Sequence, residues 1–229
     1  MNRPLDLQSD LAKEARYEHN DIIMTVLCLD LEGVLIPEIW LNVAETTGID
    51  DLRITTRDIP DYDELMQTRL RILEKHNIDM AALTEVAHAI KPMPGAKEFL
   101  DRMRKTTQVV ILSDTFRQFA GPAMAQLGYP TIFCNDLTCD ENGKLTGYQL
   151  RQQDGKRHAV LGFRSMNLQV LAAGDSYNDL SMILEADYGA FFRPPQRILD
   201  EHPELPVFTE HKEFGDALIA AVEKLEKES

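Results

Sequence analysis

Residues 24–33, with the sequence MTVLCLDLEG, decide the fold class that we predict for this chain. Most of this stretch is an apolar run rich in strand-forming residues, which is typical of a strand buried on both faces of a parallel sheet. Gly33 follows the run at once and indicates a tight turn. The stretch therefore predicts a buried strand with two acidic side chains, Asp30 and Glu32, at its carboxyl end.

Further apolar runs follow along the chain and alternate with amphipathic helical patterns. The runs that predict strands are QVVILS at 108–113, LQVLAA at 168–173 and a shorter one at 188–192. The turn residues at 140–143 lie between two more strand-like segments and predict a hairpin. Strands that alternate with helices predict an α/β fold, here a Rossmann-like doubly wound parallel sheet.

A helical insert interrupts this pattern after the first strand. Several helical patterns follow one another there with no strand between them, until Pro92, Pro94 and Gly95 end the series. The residues before the first strand are polar and acidic, without the apolar run of a secretory signal. The chain is therefore predicted to contain a poorly ordered N-terminal extension at 1–23, a core domain at 24–35 and 93–229, and a small helical domain at 36–92.

The composition excludes several classes of partner. The 229 residues include 24 Lys and Arg against 38 Asp and Glu, which gives a net charge of −14. Such a chain is repelled by nucleic-acid phosphates and by anionic membrane surfaces, and it has no apolar run long enough to span a membrane. Three widely spaced cysteines favour reduced thiols in a cytoplasmic protein, and the six histidines show no metal-binding spacing. The sequence leaves the oligomeric state open, a homodimer being one option.

Acidic residues recur where the predicted strands end. Because parallel strands present their carboxyl ends at one edge of the sheet, these side chains are expected to share one crevice. Packed carboxylates repel one another unless a cation holds them, and oxygen ligands of this kind suit Mg²⁺. A hydroxyl and a lysine are available for the oxygens of a phosphate group. The acidic residues are Asp30, Glu32, Asp114, Asp175 and Asp179. The hydroxyl is that of Ser113, and the lysine is Lys156.

The order of these motifs makes the chain resemble a known superfamily. DxExG, an apolar run ending in SD, a lysine and then GDSxND are similar to the haloacid dehalogenase phosphohydrolases, and more narrowly to their phosphoserine phosphatase branch. Within that branch, LCLDLEGVLIPEIW and AAGDSYNDLSMI resemble bacterial enzymes that combine phosphoserine phosphatase with homoserine phosphotransferase activity. The resemblance runs from about residue 24 to about residue 208.

The resemblance implies a role for each motif residue. Asp30 matches the nucleophile that forms an aspartyl-phosphate, and Glu32 matches the general acid and base. Ser113 and Lys156 match the groups that hold the phosphate oxygens. The implied Mg²⁺ ligands are Asp30, Glu32, Asp175 and Asp179, together with the Leu31 carbonyl.

The resemblance also implies a substrate and the residues that bind it. The helical insert matches a small cap that closes over the site, and Glu38 and Arg69 match contacts to the ammonium and carboxylate of phosphoserine. Asp114 and Asn178 join Ser113 and Lys156 as expected substrate contacts. Homoserine is the implied second acceptor of the phosphoryl group.

Two other functions stay open at this point. The chain is expected to be a phosphatase, but its substrate is open between phosphoserine and another small phosphate ester. A non-catalytic binding scaffold is the second alternative, which the intact nucleophile, lysine and metal ligands disfavour. One departure from the superfamily is Glu32, since most of its phosphatases carry Asp there, and we hypothesise that Glu32 leaves room for an alcohol acceptor.

Overall fold

The centre of the protein is a seven-stranded sheet with the strand order β4-β3-β2-β1-β5-β6-β7. The computed structural model describes residues 24–55, 58–59 and 61–227, so the predicted extension at 1–23 lies outside the described residues. Six strands are parallel and β4 runs antiparallel to β3. The strands are β1 Met24–Leu29, β2 Gln108–Phe116, β3 Thr131–Cys139, β4 Leu145–Gln149, β5 Leu168–Gly174, β6 Tyr188–Phe192 and β7 Val207–Phe208. The predicted α/β architecture with a mostly parallel sheet is confirmed.

The apolar run of β1 makes it the central strand. It pairs with β2 on one side and with β5 on the other, so both of its backbone edges are hydrogen-bonded. Val26 and Cys28 enter one buried cluster, and Leu27 and Leu29 enter a second cluster on the opposite face. A strand with apolar side chains on both faces is stable only when helices cover both faces.

Helices supply those two outer layers. One face is covered through residues such as Phe99 and Phe214, and the other through Val160 and Met182. The helices are α1 Ile39–Thr47, α2 Tyr62–Lys75, α3 Met80–Ala89, α4 Ala96–Met103, α5 Arg117–Gln126, α6 Gly155–Ser165, α7 Tyr177–Glu185, α8 Gln196–Glu201 and α9 His211–Lys227. No helix in these described segments is long and apolar enough to cross a membrane.

Helices α1, α2 and α3 lie between β1 and α4, where the sequence predicts the insert. We call residues 36–92 the cap, and the division into core and cap stays a proposal. Asp61 and Asp79 begin α2 and α3 as N-caps, accepting the backbone N–H of Glu64 and Ala82 respectively. The cap and the core form a continuous apolar interior, because buried cap residues share one cluster with the core.

Three short elements do not appear in the sequence prediction. These are a 3₁₀ turn at Asp50–Arg53, helix α8 and the two-residue strand β7. Each is too short to show a hydrophobic period. Strand β2 also continues three residues beyond the predicted 113, with a register shift against β3 between Leu112 and Phe116. This irregularity falls at Ser113 and Asp114, where the site begins.

Candidate active site

The carboxyl ends of β1, β2 and β5 meet at one edge of the sheet. Asp30 follows β1 and Asp175 follows β5. Ser113 and Asp114 lie near the carboxyl end of β2. The Asp30 backbone N–H donates to the Ala173 carbonyl at 2.9 Å, which continues the ladder between β1 and β5 up to the site. The sheet therefore brings together motifs that lie more than 140 residues apart in sequence, as the positions of Asp30 and Asp175 show.

Lys156 is the cation at the centre of this edge. Its Nζ lies 2.9 Å from Asp30 Oδ1, 2.6 Å from Asp179 Oδ1 and 3.7 Å from Asp114 Oδ2. Only 5% of the lysine side chain is exposed, so these charges are little screened by water. Burial works against the ammonium, but the neighbouring carboxylates, led by that of Asp179, outweigh it and raise the lysine pKa well above its usual range.

Three carboxylates at this edge are arranged as a cation site. Asp30, Asp175 and Asp179 each offer an oxygen, and these oxygens lie within 4.8 Å of one another. One ammonium group does not balance three carboxylates in a buried space, so a divalent cation would complete the charge. All three donors are hard oxygens, the type that Mg²⁺ prefers. The residues present therefore fit the predicted ion.

The protonation of the cluster reflects its unbalanced charge. Burial raises the pKa of Asp30 well above its usual range, and the charges of Asp179 and Asp175 add to this effect while Lys156 opposes it. Burial, helped by the charges of Asp179 and Glu38, raises the pKa of Asp175 to about 7. Without a bound cation, these carboxyl groups therefore hold protons that they would lose in water.

Asp179 owes its place to the start of helix α7. Its Oδ2 accepts the backbone N–H of Asp175 at 2.9 Å and of Ser176 at 3.1 Å, which forms a capping box with Ser176. Its Oδ1 remains for Lys156. A side chain on Gly174 would collide with the Asp179 carboxylate, so the glycine that begins the GDSxND motif is required for this close approach.

The turn after Asp30 brings the acidic loop against β5. Gly33 has φ +74°, in the left-handed region, and its N–H donates to the Ile36 carbonyl at 2.8 Å. A Cβ on Gly33 would collide with the Asp175 carboxylate, so a residue without a side chain is needed at this position.

Glu32 lies beside the acidic cluster but does not belong to it. Its Oε2 accepts the Ile39 backbone N–H at 2.7 Å, at the start of α1 in the cap. Burial, together with the charge of Glu38, raises the pKa of Glu32 to about 7, although the Ile39 N–H and Thr115 oppose the shift. A carboxyl group with that pKa is suited to both donate and accept a proton near neutral pH.

Two of the predicted metal ligands do not join this group of carboxylates, and the ligand role of Glu32 stays a prediction. The group of close carboxylate oxygens contains Asp30, Asp175 and Asp179 but not Glu32, whose carboxylate faces the cap helix. The Leu31 carbonyl accepts the N–H groups of Leu35 at 2.8 Å and Ile36 at 3.1 Å. Both of its lone pairs are used inside the turn, so this oxygen is not free for a cation.

The predicted phosphate and substrate contacts line the same edge. Ser113 is 6% exposed and its Oγ accepts the Thr115 N–H at 3.3 Å. Asn178 Nδ2 donates to Asp114 Oδ2 at 3.0 Å, which ties the end of β2 to the start of α7. Asp114, Lys156 and Asn178 line an open cleft of about 1220 Å³, and Ser113 lines a small pocket next to it that also includes Asp114 and Lys156.

Asn135 is a site residue that the sequence analysis missed. This buried side chain donates from Nδ2 to the Asp114 carbonyl at 3.0 Å and accepts the Arg151 N–H at its Oδ1 at 2.9 Å. It thereby joins the end of β2 to the loop that precedes α6, the helix that carries Lys156. Its partners are backbone groups, so no motif in the sequence indicates them.

Arg69 is a buried cation of the cap. It is 6% exposed, its Nη2 donates to the Ile54 carbonyl at 2.8 Å, and its guanidinium carbon lies 4.5 Å from the centre of the Trp40 ring. Its Nε is buried and has no hydrogen-bond partner within 24–55, 58–59 and 61–227. Burial lowers the pKa of Arg69 to about 10, which the charges of Tyr62, Glu32 and Glu38 oppose.

Glu38 lies on the exposed side of the same region. It is the residue before α1, and its charge acts on Glu32, Asp175 and Arg69. The structure therefore brings Glu38 and Arg69 close to the acidic loop, one accessible to solvent and the other buried.

Comparison with known proteins gives the family. The profile of the haloacid dehalogenase-like hydrolases matches residues 34–184, about two thirds of the chain, beginning just after the loop of Asp30. Phosphoserine phosphatase ThrH of Pseudomonas aeruginosa is 51% identical over 198 residues, which cover 86% of this chain and 97% of that protein. The chain belongs to the haloacid dehalogenase-like hydrolases. The family predicted from the order of the motifs is confirmed.

Solved structures of the family have the same fold. A phosphoserine phosphatase from T. onnurineus has a TM-score of 0.65 at 24% identity, covering 87% of this chain and 96% of that one. A phosphoserine phosphatase described as a phospho-aspartyl intermediate analogue has a TM-score of 0.67 at 19% identity, covering 81% and 92%. At these identities the similarity shows the fold of this haloacid dehalogenase-like hydrolase.

Proposed function

We propose that this hydrolase is a Mg²⁺-dependent phosphoserine phosphatase, which converts O-phospho-L-serine to serine and phosphate. The observation that carries the proposal is the buried contact of Lys156 with Asp30 and Asp179, next to Asp175. The 51% identity to a phosphoserine phosphatase over nearly its whole length supports the substrate. The three free cysteines favour a cytoplasmic enzyme.

The positions of the core residues support the following reaction. Asp30 attacks phosphorus, the bond to the serine oxygen breaks, and Glu32 donates a proton to that oxygen as it leaves. Glu32 then takes a proton from water, which attacks the aspartyl-phosphate and releases phosphate and Asp30. Lys156 and Ser113 hold the phosphate oxygens, so that the phosphoryl group stays in line with the nucleophile.

The cation is assigned to the carboxylates that share the sheet edge. Asp30, Asp175 and Asp179 would hold Mg²⁺, which when bound supplies positive charge against the phosphate oxygens and the nucleophile. The raised pKa values of Asp30 and Asp175 support this assignment, because such a cluster gains most from a cation. Asp30 must be ionised to attack, and positive charge at this site would favour that state.

The substrate's amino-acid end is assigned to the cap. Arg69, whose Nε lacks a partner among the described residues, would bind the carboxylate, and Glu38 would bind the ammonium. Asp114 and Asn178 would border the phosphate at the mouth of the cleft. A buried donor without a partner is costly, so its presence favours a role in ligand binding.

Phosphoryl transfer to homoserine is the second candidate activity. The supporting observation is Glu32, whose longer side chain reaches from the turn to the cap helix through Ile39. We propose that this reach leaves space for an alcohol in place of water. Glu32→Asp should then lower the ratio of transfer to hydrolysis, and an unchanged ratio would contradict this role of Glu32.

The experiment is phosphate release from L-phosphoserine with Mg²⁺, with EDTA, and with homoserine added. Turnover that needs Mg²⁺ is expected, and phosphohomoserine should appear in the third mixture if transfer occurs. Asp30→Asn is the blank, and Asp216→Asn, an exposed carboxylate far along the chain, is the matched control. No release by the folded protein would instead favour another small phosphate ester or a binding role.

A further inference from the structure

A buried histidine joins the two connections between core and cap. His211 is the first residue of α9 and is 6% exposed. Its Nε2 lies 2.7 Å from the Val34 carbonyl oxygen and its Nδ1 lies 3.1 Å from the Pro94 carbonyl oxygen. Val34 belongs to the segment that leads from the core into the cap, and Pro94 belongs to the segment that leads back.

The two connections are also paired with each other. The Met93 N–H donates to the Leu35 carbonyl at 2.9 Å, so the outgoing and returning segments lie side by side. His211 contacts both segments through its two ring nitrogens. Its ring packs against Phe192 and Phe99 with centroid separations of 4.5 and 5.4 Å. The ring is therefore held in place by apolar contacts while its nitrogens face backbone oxygens.

The two distances differ enough to identify the stronger bond. A neutral imidazole has one N–H and donates to only one carbonyl at a time. The 2.7 Å separation at Val34 is the shorter of the two, which favours the tautomer with the proton on Nε2. The main hydrogen bond of His211 thus goes to the turn that follows Glu32.

That turn sets the position of the acid and base. Its Gly33 N–H donates to the Ile36 carbonyl, and the N–H groups of Leu35 and Ile36 donate to the Leu31 carbonyl. The turn is therefore a rigid unit, and Val34 lies at its centre with its carbonyl directed toward His211. A displacement of Val34 would be passed to Glu32, two residues earlier in the same unit.

We propose that His211 is a positioning residue for catalysis, which fixes the Glu32 turn through the hydrogen bond from Nε2 to Val34. This inference rests on the proposed function, because it concerns the proton transfers assigned to Glu32. His211 does not touch the substrate. It acts through the backbone between Gly33 and Ile36.

Two amide variants separate this bond from general packing. The amide nitrogen of Gln reaches about as far as the histidine Nε2, whereas that of Asn reaches only as far as Nδ1. His211→Gln therefore keeps a donor near Val34, whereas His211→Asn places its amide nitrogen near Pro94 and leaves the Val34 carbonyl without this donor. His211→Phe keeps the ring contacts and removes the donor to Val34.

Steady-state kinetics with phosphoserine and Mg²⁺ give the first test. We expect kcat of His211→Gln within about 3-fold of wild type, and kcat of His211→Asn and His211→Phe lower by about 10-fold or more, since displacements of about 1 Å can cost more than this. KM should change little in all three, since the cap contacts are intact. Equal kcat losses in Gln and Asn, or a loss confined to KM, would overturn the proposal.

Hydrogen exchange gives a second test that does not depend on turnover. The amides of Gly33, Leu35 and Ile36 should exchange faster in His211→Asn and His211→Phe than in His211→Gln. If the wild type released no phosphate, the proposed function would fail while this difference still tested the bond itself. Equal exchange in all the variants would overturn the role assigned to Val34.

Discussion

The sheet edge and the cap contribute to the same site in opposite ways. At the sheet edge, the charged groups of Lys156 and Asp179 have partners within the protein, at 2.6 to 3.1 Å. In the cap, the buried Arg69 has an Nε without a partner in the described part of the chain, and Glu38 is exposed.

This difference indicates which interactions exist before substrate binds. The fold itself arranges the groups to which we assign phosphoryl transfer, because the strands and the capping box of α7 hold them. The cap residues are only partly satisfied and would be completed by a ligand. Variants of the two regions should therefore affect different kinetic parameters.

The largest effect is expected at the sheet edge. Asp30→Asn removes the attacking oxygen, so kcat should fall by at least about 10⁴-fold, as for other covalent nucleophiles. The fold should survive, because a neutral amide replaces a carboxyl group whose pKa is already raised by burial. Steady-state phosphate release and thermal unfolding of the same samples check both statements. Turnover within 10-fold of wild type would remove the distinction between the two regions.

The next effect is expected in the cap, and mainly on KM. Arg69→Met removes the guanidinium but keeps much of its packing on Trp40, so kcat/KM for phosphoserine should fall about 100-fold through a higher KM. Arg71→Met, an exposed arginine on the same helix, is the matched control and should stay near wild type. A loss of kcat with unchanged KM would place Arg69 with the catalytic groups instead.

The stability of the metal-free protein should depend on pH through the core cluster. Asp30, Glu32 and Asp175 have raised pKa values in the folded protein, so the folded state keeps protons that the unfolded state loses above pH 4 to 5. Stability in EDTA should therefore fall as pH rises toward 7, by about 10-fold in the folding constant per pH unit for each such proton.

Urea unfolding in EDTA at pH 5 and pH 7.5 measures this dependence. Mg²⁺ should restore more stability at pH 7.5 than at pH 5, because it binds the ionised carboxylates. Asp175→Asn should flatten the dependence by removing one of the three groups. Greater stability at pH 7.5 than at pH 5 in EDTA would show that the cluster is not under charge repulsion.

The smallest effect is expected where the hairpin of β3 and β4 meets the cap. The Tyr148 hydroxyl donates to Asp63 Oδ1 at 2.6 Å, and the Tyr62 and Tyr148 rings pack edge to face with centroids 5.8 Å apart. Tyr148→Phe keeps the ring contact, so kcat/KM should fall only about 3-fold, as for one exposed hydrogen bond. Lys144→Met, which removes the exposed pair with Glu74, is the control. A 100-fold loss in Tyr148→Phe would mean that the hairpin controls cap closure.

Much of the sheet edge could be predicted from the sequence, because each of its segments is marked by residues that are adjacent in the chain. The runs ending at Asp30, Ser113 and Gly174 each show a buried strand followed by polar residues, and parallel topology brings such ends together. The family resemblance then gave the roles.

The residues that support the edge could not be predicted in the same way. Asn135 and His211 bind backbone carbonyls that lie 21 and 177 positions away, and no side-chain pattern marks such partners. The exclusion of Glu32 from the acidic cluster depends on its bond to Ile39, which forms only once the turn and α1 have folded. Short elements such as α8 and β7 could not be predicted because they contain too few residues to show a hydrophobic period.

The most direct test of the account is to trap the phosphoryl group on Asp30. The protein would be mixed with Mg²⁺ and ³²P-labelled phosphoserine, quenched in acid, and assayed for label bound to protein and released by hydroxylamine. The account predicts labelled protein in the wild type and none in Asp30→Asn. Turnover by the wild type with no trapped label, or label retained by Asp30→Asn, would contradict the central role of Asp30.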